Sequence, residues 1–197
     1  MVFEQSHLFH LYNQGNNREQ IFFNRENYFL FIKKIETHIT PYSDVVAWCL
    51  MPNHFHLMLY VNHVELVTCK NTNSGAVSTR TLNKSIGIIL TSYTRAINNQ
   101  ENRTGTLFKP HTKAICLTKN DTLSPAFYSA SYGTTINILN PEKEYPKICF
   151  NYIHNNPVKA GMVRHAEDWE FSSYRDLFGT RNWKITNKRK AMDLGLI

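Results

Sequence analysis

Hydrophobic residues in the first third of the chain change from one spacing to another, and each change predicts a new element. Residues 6–12 and 45–50 are short runs rich in apolar, β-branched and aromatic side chains, which predict two strands. Between them, apolar residues recur at helical spacing from about Arg25 to His38, which predicts a helix. Polar turn residues around each run mark the limits of these elements.

In residues 54–61, purely apolar side chains alternate with a second set that includes two histidines, and this alternation predicts a third strand. Because strand side chains point to opposite faces in turn, the strand has one apolar face and one face that carries histidines. The apolar face holds Phe55, Leu57 and Leu59, and the other holds His54, His56, Met58 and Tyr60. The sequence leaves open whether residues 45–50 and 54–61 form a hairpin across Pro52-Asn53 or one bulged strand.

The middle of the chain contains the longest helical pattern and one irregular segment. Residues 62–78 are polar and predict a loop, and an apolar stripe predicts a helix from Ser78 to about Asn98. Residues 107–117 can supply a further strand. Residues 119–145 are rich in Ser, Thr, Asn and Tyr without a clear period, which predicts an inserted loop.

The last part of the chain predicts a short helix and a basic tail. We expect the helix over residues 146–155 to stop before Pro157, because a residue that precedes proline disfavours the helical conformation. Residues 179–197 are rich in Lys and Arg and predict a solvated C-terminal tail. Without a repeat or a linker, residues 1–178 predict a single domain. The order of elements predicts an α+β fold with an antiparallel sheet flanked by helices.

Charge and composition narrow the class of partner. The chain has 22 Lys and Arg against 15 Asp and Glu, a net charge of +7 that favours polyanions, because phosphate contacts release counterions. No apolar stretch reaches the roughly 18 residues of a membrane span, and the N-terminus lacks a signal-peptide pattern. We therefore expect a soluble cytoplasmic protein with no membrane partner. The cysteines show no Cys-x-x-Cys spacing, which argues against a zinc ribbon.

The segment Met51-Pro-Asn-His-Phe-His-Leu-Met-Leu carries the most specific chemistry. His54 and His56 project from one strand face at i and i+2, a spacing that lets two imidazoles bind one divalent ion and leaves most of its coordination sphere open. Such an ion polarises a phosphoryl oxygen, and a tyrosine phenolate can then supply the nucleophile. The alternative is a pair of ordinary strand histidines that face water.

Several longer motifs resemble one family. Trp48-Cys-Leu-Met-Pro-Asn-His-Phe-His-Leu-Met-Leu resembles the His-hydrophobe-His (HUH) motif of single-tyrosine transposases, in particular the REP-associated, insertion-sequence-200-like branch. Asn16-Asn-Arg-Glu-Gln-Ile-Phe and Gly105-Thr-Leu-Phe-Lys resemble two further segments of that branch. Tyr152-Ile-His-Asn-Asn-Pro-Val-Lys-Ala-Gly-Met-Val, with Trp169 and Ser172-Ser-Tyr-Arg, is similar to its C-terminal signature. The resemblance covers about residues 6–178.

The resemblance implies a fold, a reaction and partners. It implies a ferredoxin-like (RRM-like) HUH transposase fold, usually a homodimer, in a bacterial cytoplasmic protein. It implies cleavage and rejoining of single-stranded or hairpin DNA with Mg²⁺ or Mn²⁺, and His54 and His56 as metal ligands. Lys109, Lys113 and Arg175 are expected phosphate contacts.

The chain departs from the family where the nucleophile is expected. In the family, a tyrosine follows the Leu-Phe-Lys-like segment by a few residues, whereas here Lys109-Pro-His-Thr-Lys-Ala contains none, and Thr112 or Lys113 takes its place. Either Tyr128 or Tyr132 of the inserted loop supplies the nucleophile, or the protein binds DNA without a covalent intermediate. His111 is a candidate third metal ligand.

Other residues of these motifs are expected to be structural. We expect Tyr152 and Tyr93 to pack, Asn155-Asn156-Pro157 to stop a helix and Gly161 to form a turn. Three functions stay open: a DNA-processing transposase, a domesticated relative that binds hairpin DNA without strand transfer, and a metal hydrolase of small phosphoesters. The last has no sequence support for the carboxylates that usually complete such sites.

Overall fold

A computed structural model describes residues 1–70, 77–119 and 141–197. Residues 120–140 of the predicted inserted loop, 119–145, lie outside these ranges, and Tyr128 and Tyr132 are among them. The loop prediction is wrong for residues 141–145, which are helical. No helix in the described part of the chain is long and apolar enough to cross a membrane.

The centre of the structure is a four-stranded antiparallel sheet. Its strands are β1 (Leu8–Gln14), β2 (Ser43–Met51), β3 (His54–Val61) and β6 (Lys113–Cys116), in the spatial order β2-β3-β1-β6. The predicted strands at 6–12, 45–50 and 54–61 are thus confirmed, and β6 is a shorter part of 107–117. Met51 pairs with His54, so β2 and β3 form a tight hairpin across Pro52-Asn53 rather than one bulged strand.

Helices cover both faces of the sheet. The helices are α1 (Arg25–His38), α2 (Leu82–Gln100), α3 (Pro141–Lys159), α4 (Tyr174–Phe178) and α5 (Lys188–Asp193). The apolar faces of α1 and α2 pack on the side of the sheet that carries Phe55, Leu57 and Leu59. The opposite side, which carries Met58, packs against Cys149, Phe150 and Ile153 of α3. The histidine-bearing face of β3 is therefore covered by a helix, a mixed α and β arrangement that matches the predicted fold class.

A second, two-stranded sheet replaces part of the predicted loop over residues 62–78. Strands β4 (Glu65–Lys70) and β5 (Val77–Thr81) pair antiparallel, and β5 leads directly into α2. The loop prediction is wrong here because the ribbon is short and exposed. Val67 and Val77 keep about half of their surface accessible, so the strands lack the apolar alternation by which a half-buried strand is recognised.

The predicted stop before Pro157 is also wrong, because α3 continues to Lys159. Gly161, with φ of +68°, ends the helix instead: its N–H bonds the carbonyl of Val158, and that of Met162 bonds the carbonyl of Pro157. This pair of bonds is a Schellman motif, which places a glycine just past the helix. The turn predicted at Gly161 is confirmed. Pro157 lies inside the last turn of α3 and is buried.

The predicted solvated tail is wrong as well, since residues 179–197 pack on the domain. Ala191 and Leu196 are buried in the core beneath α3. Arg181 stacks over Trp183 at 3.9 Å and forms an ion pair with the buried carboxylate of Asp176 at 2.6 Å. The basic composition of residues 179–197 does not reveal these contacts. In sequence, Arg181, which fixes the segment to the domain, cannot be distinguished from the solvated basic residues around it.

Asp176→Ala is expected to lower the free energy of unfolding by about 3–5 kcal/mol. The carboxylate accepts from Arg181, from the Thr186 hydroxyl at 2.7 Å and from the Trp183 amide at 3.3 Å, so its loss leaves a largely buried cation and two donors without their acceptor. Urea unfolding measures the change. Asp193→Ala, which removes an exposed carboxylate, is the control and should shift stability by no more than about 0.5 kcal/mol. Equal stability of the two variants would contradict the role of Asp176 in fixing residues 179–197 to the domain.

Candidate active site at the histidine pair

Strand register brings the candidate residues together on one face of the sheet. Tyr12 of β1 lies directly opposite His56, and His10 lies one alternation further along the same face. The ring centroids of His54 and His56 are 5.0 Å apart, and those of His10 and His56 are 5.1 Å apart. Because α3 covers this face, His56 and His10 are buried, and His54 keeps part of its surface exposed.

The hairpin turn that precedes His54 is held by the loop after β1. The Pro52 carbonyl accepts from the backbone amides of Ile21 and Phe22, and the Asn53 carbonyl accepts from Gly15. A side chain at Gly15 would place its Cβ 2.0 Å from the Glu19 carbonyl oxygen, so only glycine fits this close approach. The turn is therefore a fixed support for His54.

His54 is oriented by amides on both sides. Its Nδ1 lies 2.6 Å from Oδ1 of Asn53, and its Nε2 lies 3.3 Å from Oδ1 of Asn156 on α3. Burial lowers the pKa of His54, and the contact with Asn156 opposes that effect. A neutral imidazole has only one N–H, so when Nδ1 donates to Asn53, Nε2 presents a lone pair that faces the Asn156 oxygen.

The two ring nitrogens of His56 differ in their surroundings. Its Nδ1 lies 3.0 Å from Nε2 of His10, while its buried Nε2 has no hydrogen-bond partner among the residues that the structure describes. Burial above all, with His10 and His54 nearby, lowers the pKa of His56 well below the usual value, and burial lowers that of His10 to about 3. An N–H at Nε2 would be left unsatisfied at a cost of about 1–3 kcal/mol, whereas a lone pair there can meet a cation. The geometry thus favours Nδ1–H donating to His10.

These atoms fit a divalent cation. Two imidazole lone pairs and the amide oxygen of Asn156 can each donate electrons to a cation. Asn53 and His10 orient the two rings through the other ring nitrogens, as hydrogen-bond partners of metal-binding histidines usually do. Across residues 1–70, 77–119 and 141–197, no three His, Cys, Asp or Glu side chains form a metal-binding group. Asn156, whose Oδ1 lies 3.3 Å from Nε2 of His54, is placed to offer an oxygen beside the two imidazoles.

Helix α3 brings a phenol to the same histidines. The Tyr152 ring centroid lies 5.4 Å from that of His56, and Nζ of Lys159 lies 5.3 Å from the Tyr152 centroid. Tyr152, Asn156 and Lys159 follow one another at i, i+4 and i+7, so they share one face of the helix. Tyr152 packs as expected, partly buried against the core, whereas Asn156 lies within the helix and does not stop it.

Tyr12 is the second phenol on this face. Its ring stacks on His10 at 4.8 Å and lies 5.8 Å from His56. Burial, with smaller contributions from Tyr152 and other neighbours, raises the pKa of Tyr12 to about 12. A phenol that resists deprotonation is a hydrogen-bond donor rather than a nucleophile at neutral pH.

Thr112, one of the two residues that take the place of the missing tyrosine, lies on the other side of the sheet. The Thr112 hydroxyl accepts a 2.8 Å hydrogen bond from the side chain of Asn13. Since Tyr12 points to His56, the next residue, Asn13, points to the opposite face. A tyrosine at position 112 would therefore face away from the histidine pair, whereas Lys113 pairs with Tyr12 and shares its face of the sheet.

The other predicted site residues lie around the site or outside the described ranges. Lys113 pairs with Tyr12 at the exposed start of β6, and Lys109 and His111 are exposed. The described structure records no contact between His111 and the histidine pair, so its role as a ligand stays a prediction. Arg175 donates to the backbone carbonyls of Glu167 and Asp168.

A buried histidine fixes α3 to the sheet and predicts acid sensitivity. His154 lies 3.0 Å from the Phe150 carbonyl and 2.7 Å from the Ser173 hydroxyl, and Ser173 is bonded to Trp48 of β2. Burial lowers the pKa of His154 to about 4 from 6.5. Between these pH values the unfolded chain binds a proton that the folded chain does not, so stability falls as the pH drops through this window.

We expect this histidine to contribute roughly 3 kcal/mol to the loss of stability between pH 7 and pH 4. The measurement is urea unfolding at several pH values. His154→Gln should be less stable at pH 7 and should lose less on acidification than the unaltered chain. An identical pH dependence in both proteins would contradict the assignment.

Comparisons with known proteins bear on the fold. No family model and no curated protein matches the sequence. Among solved structures, the chain is similar to a REP-associated tyrosine transposase bound to a REP hairpin, with a TM-score of 0.55 and 16% identity. The match covers 95% of this chain and 88% of that chain, so the two share a fold over nearly their whole length.

Proposed function

We propose that this protein is a transposase-like DNA-binding protein that cleaves and rejoins single-stranded or hairpin DNA. The observation that carries the proposal is the convergence of His54, His56, Asn156 and Tyr152 in one partly buried cluster between β3 and α3. The fold shared with a hairpin-bound transposase and the net charge of +7 support a DNA partner.

We also infer the finer fold and family assignments. The order of β1, α1, β2, β3, α2 and β6, with the sheet order β2-β3-β1-β6, supports the ferredoxin-like description. The motifs around His54 and Tyr152 support a distant relation to the REP-associated transposases. The homodimer stays a prediction from the resemblance.

We assign the metal site to Nε2 of His54, Nε2 of His56 and Oδ1 of Asn156. Two nitrogens and one neutral oxygen leave positions for phosphate and water oxygens, a set that suits Mn²⁺ or Mg²⁺ at a phosphodiester. When bound, the ion acts as a Lewis acid on a nonbridging phosphate oxygen. The protein side chains supply the orientation, because Asn53 and His10 fix the two rings.

In the proposed reaction, the phenol oxygen of Tyr152 attacks the scissile phosphorus. An O–P bond to the tyrosine forms as the bond from phosphorus to the 3′ oxygen breaks, and the 3′ oxygen leaves as a hydroxyl after it takes up a proton. The proton lost by the phenol passes to solvent. Lys159, above the Tyr152 ring, places a positive charge where it can attract a neighbouring phosphate. The freed 3′-hydroxyl can reverse the step, which is rejoining.

The flanking DNA is proposed to follow exposed cations. Lys113 lies on the strand next to Tyr12, and Lys109 lies on the loop that leads into that strand. Such contacts position the backbone without reading sequence. Arg175, whose guanidinium already donates to two carbonyls, has fewer donors left for a phosphate.

The function is tested by incubating the protein with Mn²⁺ and a labelled hairpin oligonucleotide that carries single-stranded flanks. We expect a cleaved strand and a protein–DNA adduct that survives denaturing electrophoresis. The second candidate, a relative that binds hairpins without strand transfer, predicts a mobility shift and no adduct with any metal. Neither binding nor cleavage of structured single strands would refute both. Turnover of a small phosphodiester without affinity for DNA would instead support the third, hydrolase function.

A further inference from the structure

A cleft of about 480 Å³ lies on the outer side of α3, away from the histidine pair. Its floor is aromatic and includes Phe150, Tyr174 and Phe178, with Tyr174 and Phe178 ring centroids 4.8 Å apart. Asn151 and Asn155 of α3 form one wall, at i and i+4. Because Tyr152 and Asn156 stand next to them in sequence, the same helix presents the reactive cluster on one face and this cleft on another.

The cleft leaves aromatic and polar groups accessible. Phe178, the last residue of α4, keeps 54% of its surface exposed. In the parts of the chain that the structure describes, the side chains of Asn151, Asn155 and Arg164 make no hydrogen bond or ion pair. Amides and guanidinium groups are the side chains that read base edges, and exposed rings are the surfaces on which unpaired bases stack.

We propose that this cleft binds one unpaired nucleotide of the DNA that the protein processes, an inference that rests on the proposed function. The base stacks on Tyr174 and Phe178, and its edge meets the amides of Asn151 and Asn155. Arg164 meets the adjoining phosphate. Glu167 at the same rim offsets part of the positive charge of Arg164. Stacking on the aromatic rings, rather than attraction of an anion alone, therefore selects the ligand.

The position of the cleft fits one continuous strand. An α-helix with its side chains is about 10–12 Å across, so a strand that crosses α3 from the reactive cluster reaches the cleft within a few nucleotides. A duplex stem cannot place a base there without unpairing it. The cleft therefore selects DNA with a single-stranded flank beside the scissile phosphate.

The test measures binding of labelled oligonucleotides by fluorescence anisotropy at fixed salt, because phosphate contacts make affinity depend strongly on salt. A hairpin with single-stranded flanks is compared with the blunt hairpin. Phe178→Ala should weaken binding of the flanked hairpin by about tenfold or more, and binding of the blunt hairpin by less than about twofold. Phe178→Leu, which keeps apolar volume without a ring, should behave like the alanine variant.

Phe23→Ala is the matched control. Phe23 is an exposed phenylalanine (37%) that does not line the cleft, and its removal should leave both affinities within about twofold. In a second series, single abasic sites are placed along the flank. One position should weaken binding by the unaltered protein and have no further effect on Phe178→Ala, because both changes remove the same stacked pair.

The outcomes separate this proposal from the function on which it rests. If the unaltered protein binds no oligonucleotide, the proposed function fails. If it binds hairpins but Phe178→Ala and Phe178→Leu lose no more affinity for the flanked hairpin than Phe23→Ala does, the cleft proposal alone is overturned. Equal losses for flanked and blunt hairpins would overturn it as well, because a nucleotide pocket acts only on the unpaired strand.

Discussion

Tyr152→Phe is expected to eliminate the protein–DNA adduct and to slow strand cleavage by at least about a thousandfold, with hairpin affinity changed by less than about twofold. The substitution deletes only the oxygen that would bond to phosphorus. The ring that packs beside His56 remains, so neither the histidine pair nor α3 loses a contact. The measurement is denaturing electrophoresis of a labelled oligonucleotide with Mn²⁺, followed by mass mapping of the modified peptide.

Tyr12→Phe provides the matched control, because its phenol lies on the same face at a similar distance from His56. Its raised pKa makes it a poor source of phenolate, and we expect adduct formation to persist. Tyr128 and Tyr132, the candidates from the inserted loop, lie outside the described residues, and a joint Phe replacement tests them directly. An adduct that persists in Tyr152→Phe and maps to any of these three would assign the nucleophile elsewhere.

The sequence alone points to the histidines but misses the phenol for a definite reason. A two-residue period places His54 and His56 together whatever the rest of the fold does. Tyr152 lies on the predicted helix but reaches them only because α3 crosses the histidine face, and the predicted stop before Pro157 leaves Asn156 and Lys159 off that helix. The sequence does contain a signal for this arrangement, because Tyr152, Asn156 and Lys159 at i, i+4 and i+7 would share one helix face. The signal can be recognised only if the helix is predicted to end at Gly161.

His10 could not be found in this way. Its closeness to His56 depends on the register between β1 and β3, strands that lie more than forty residues apart in sequence. No local pattern sets that register, because it follows from the burial of apolar residues on both faces. By contrast, the helix from Arg25 to His38 needs only its own periodicity and an Asn24 cap, and its predicted bounds are confirmed.

The packing of residues 179–197 also could not be predicted from local sequence. Residues 179–197 look like a solvated basic arm because their composition is basic. The carboxylate that Arg181 needs lies five residues earlier, on α4, and the ring beneath it is Trp183. A basic composition predicts a solvated segment, because most lysines are exposed to water. The position of residues 179–197 depends instead on one buried acceptor, the Asp176 carboxylate.

His54→Ala and His56→Ala are each expected to abolish the stabilisation that Mn²⁺ gives to the folded protein. A ligand that binds only the folded state adds about 2.7 kcal/mol at a concentration 100 times its dissociation constant, and this gain needs no catalytic turnover. Thermal unfolding of the DNA-free protein across a Mn²⁺ series measures it. His63→Ala, which removes an exposed histidine, should keep the full Mn²⁺ response.

Metal-dependent cleavage should fall with the same two variants, and the pair of readouts identifies the cause. Loss of cleavage with an intact Mn²⁺ response would mean that the histidines act on DNA directly rather than through a cation. The prediction is stronger for His56, because within the described ranges its buried Nε2 has no hydrogen-bond partner to lose. Asn156→Ala should reduce the Mn²⁺ response while His54 and His56 remain, because one oxygen ligand is removed and the two nitrogens stay. A Mn²⁺ response that is unchanged in all three variants would exclude a cation at this site.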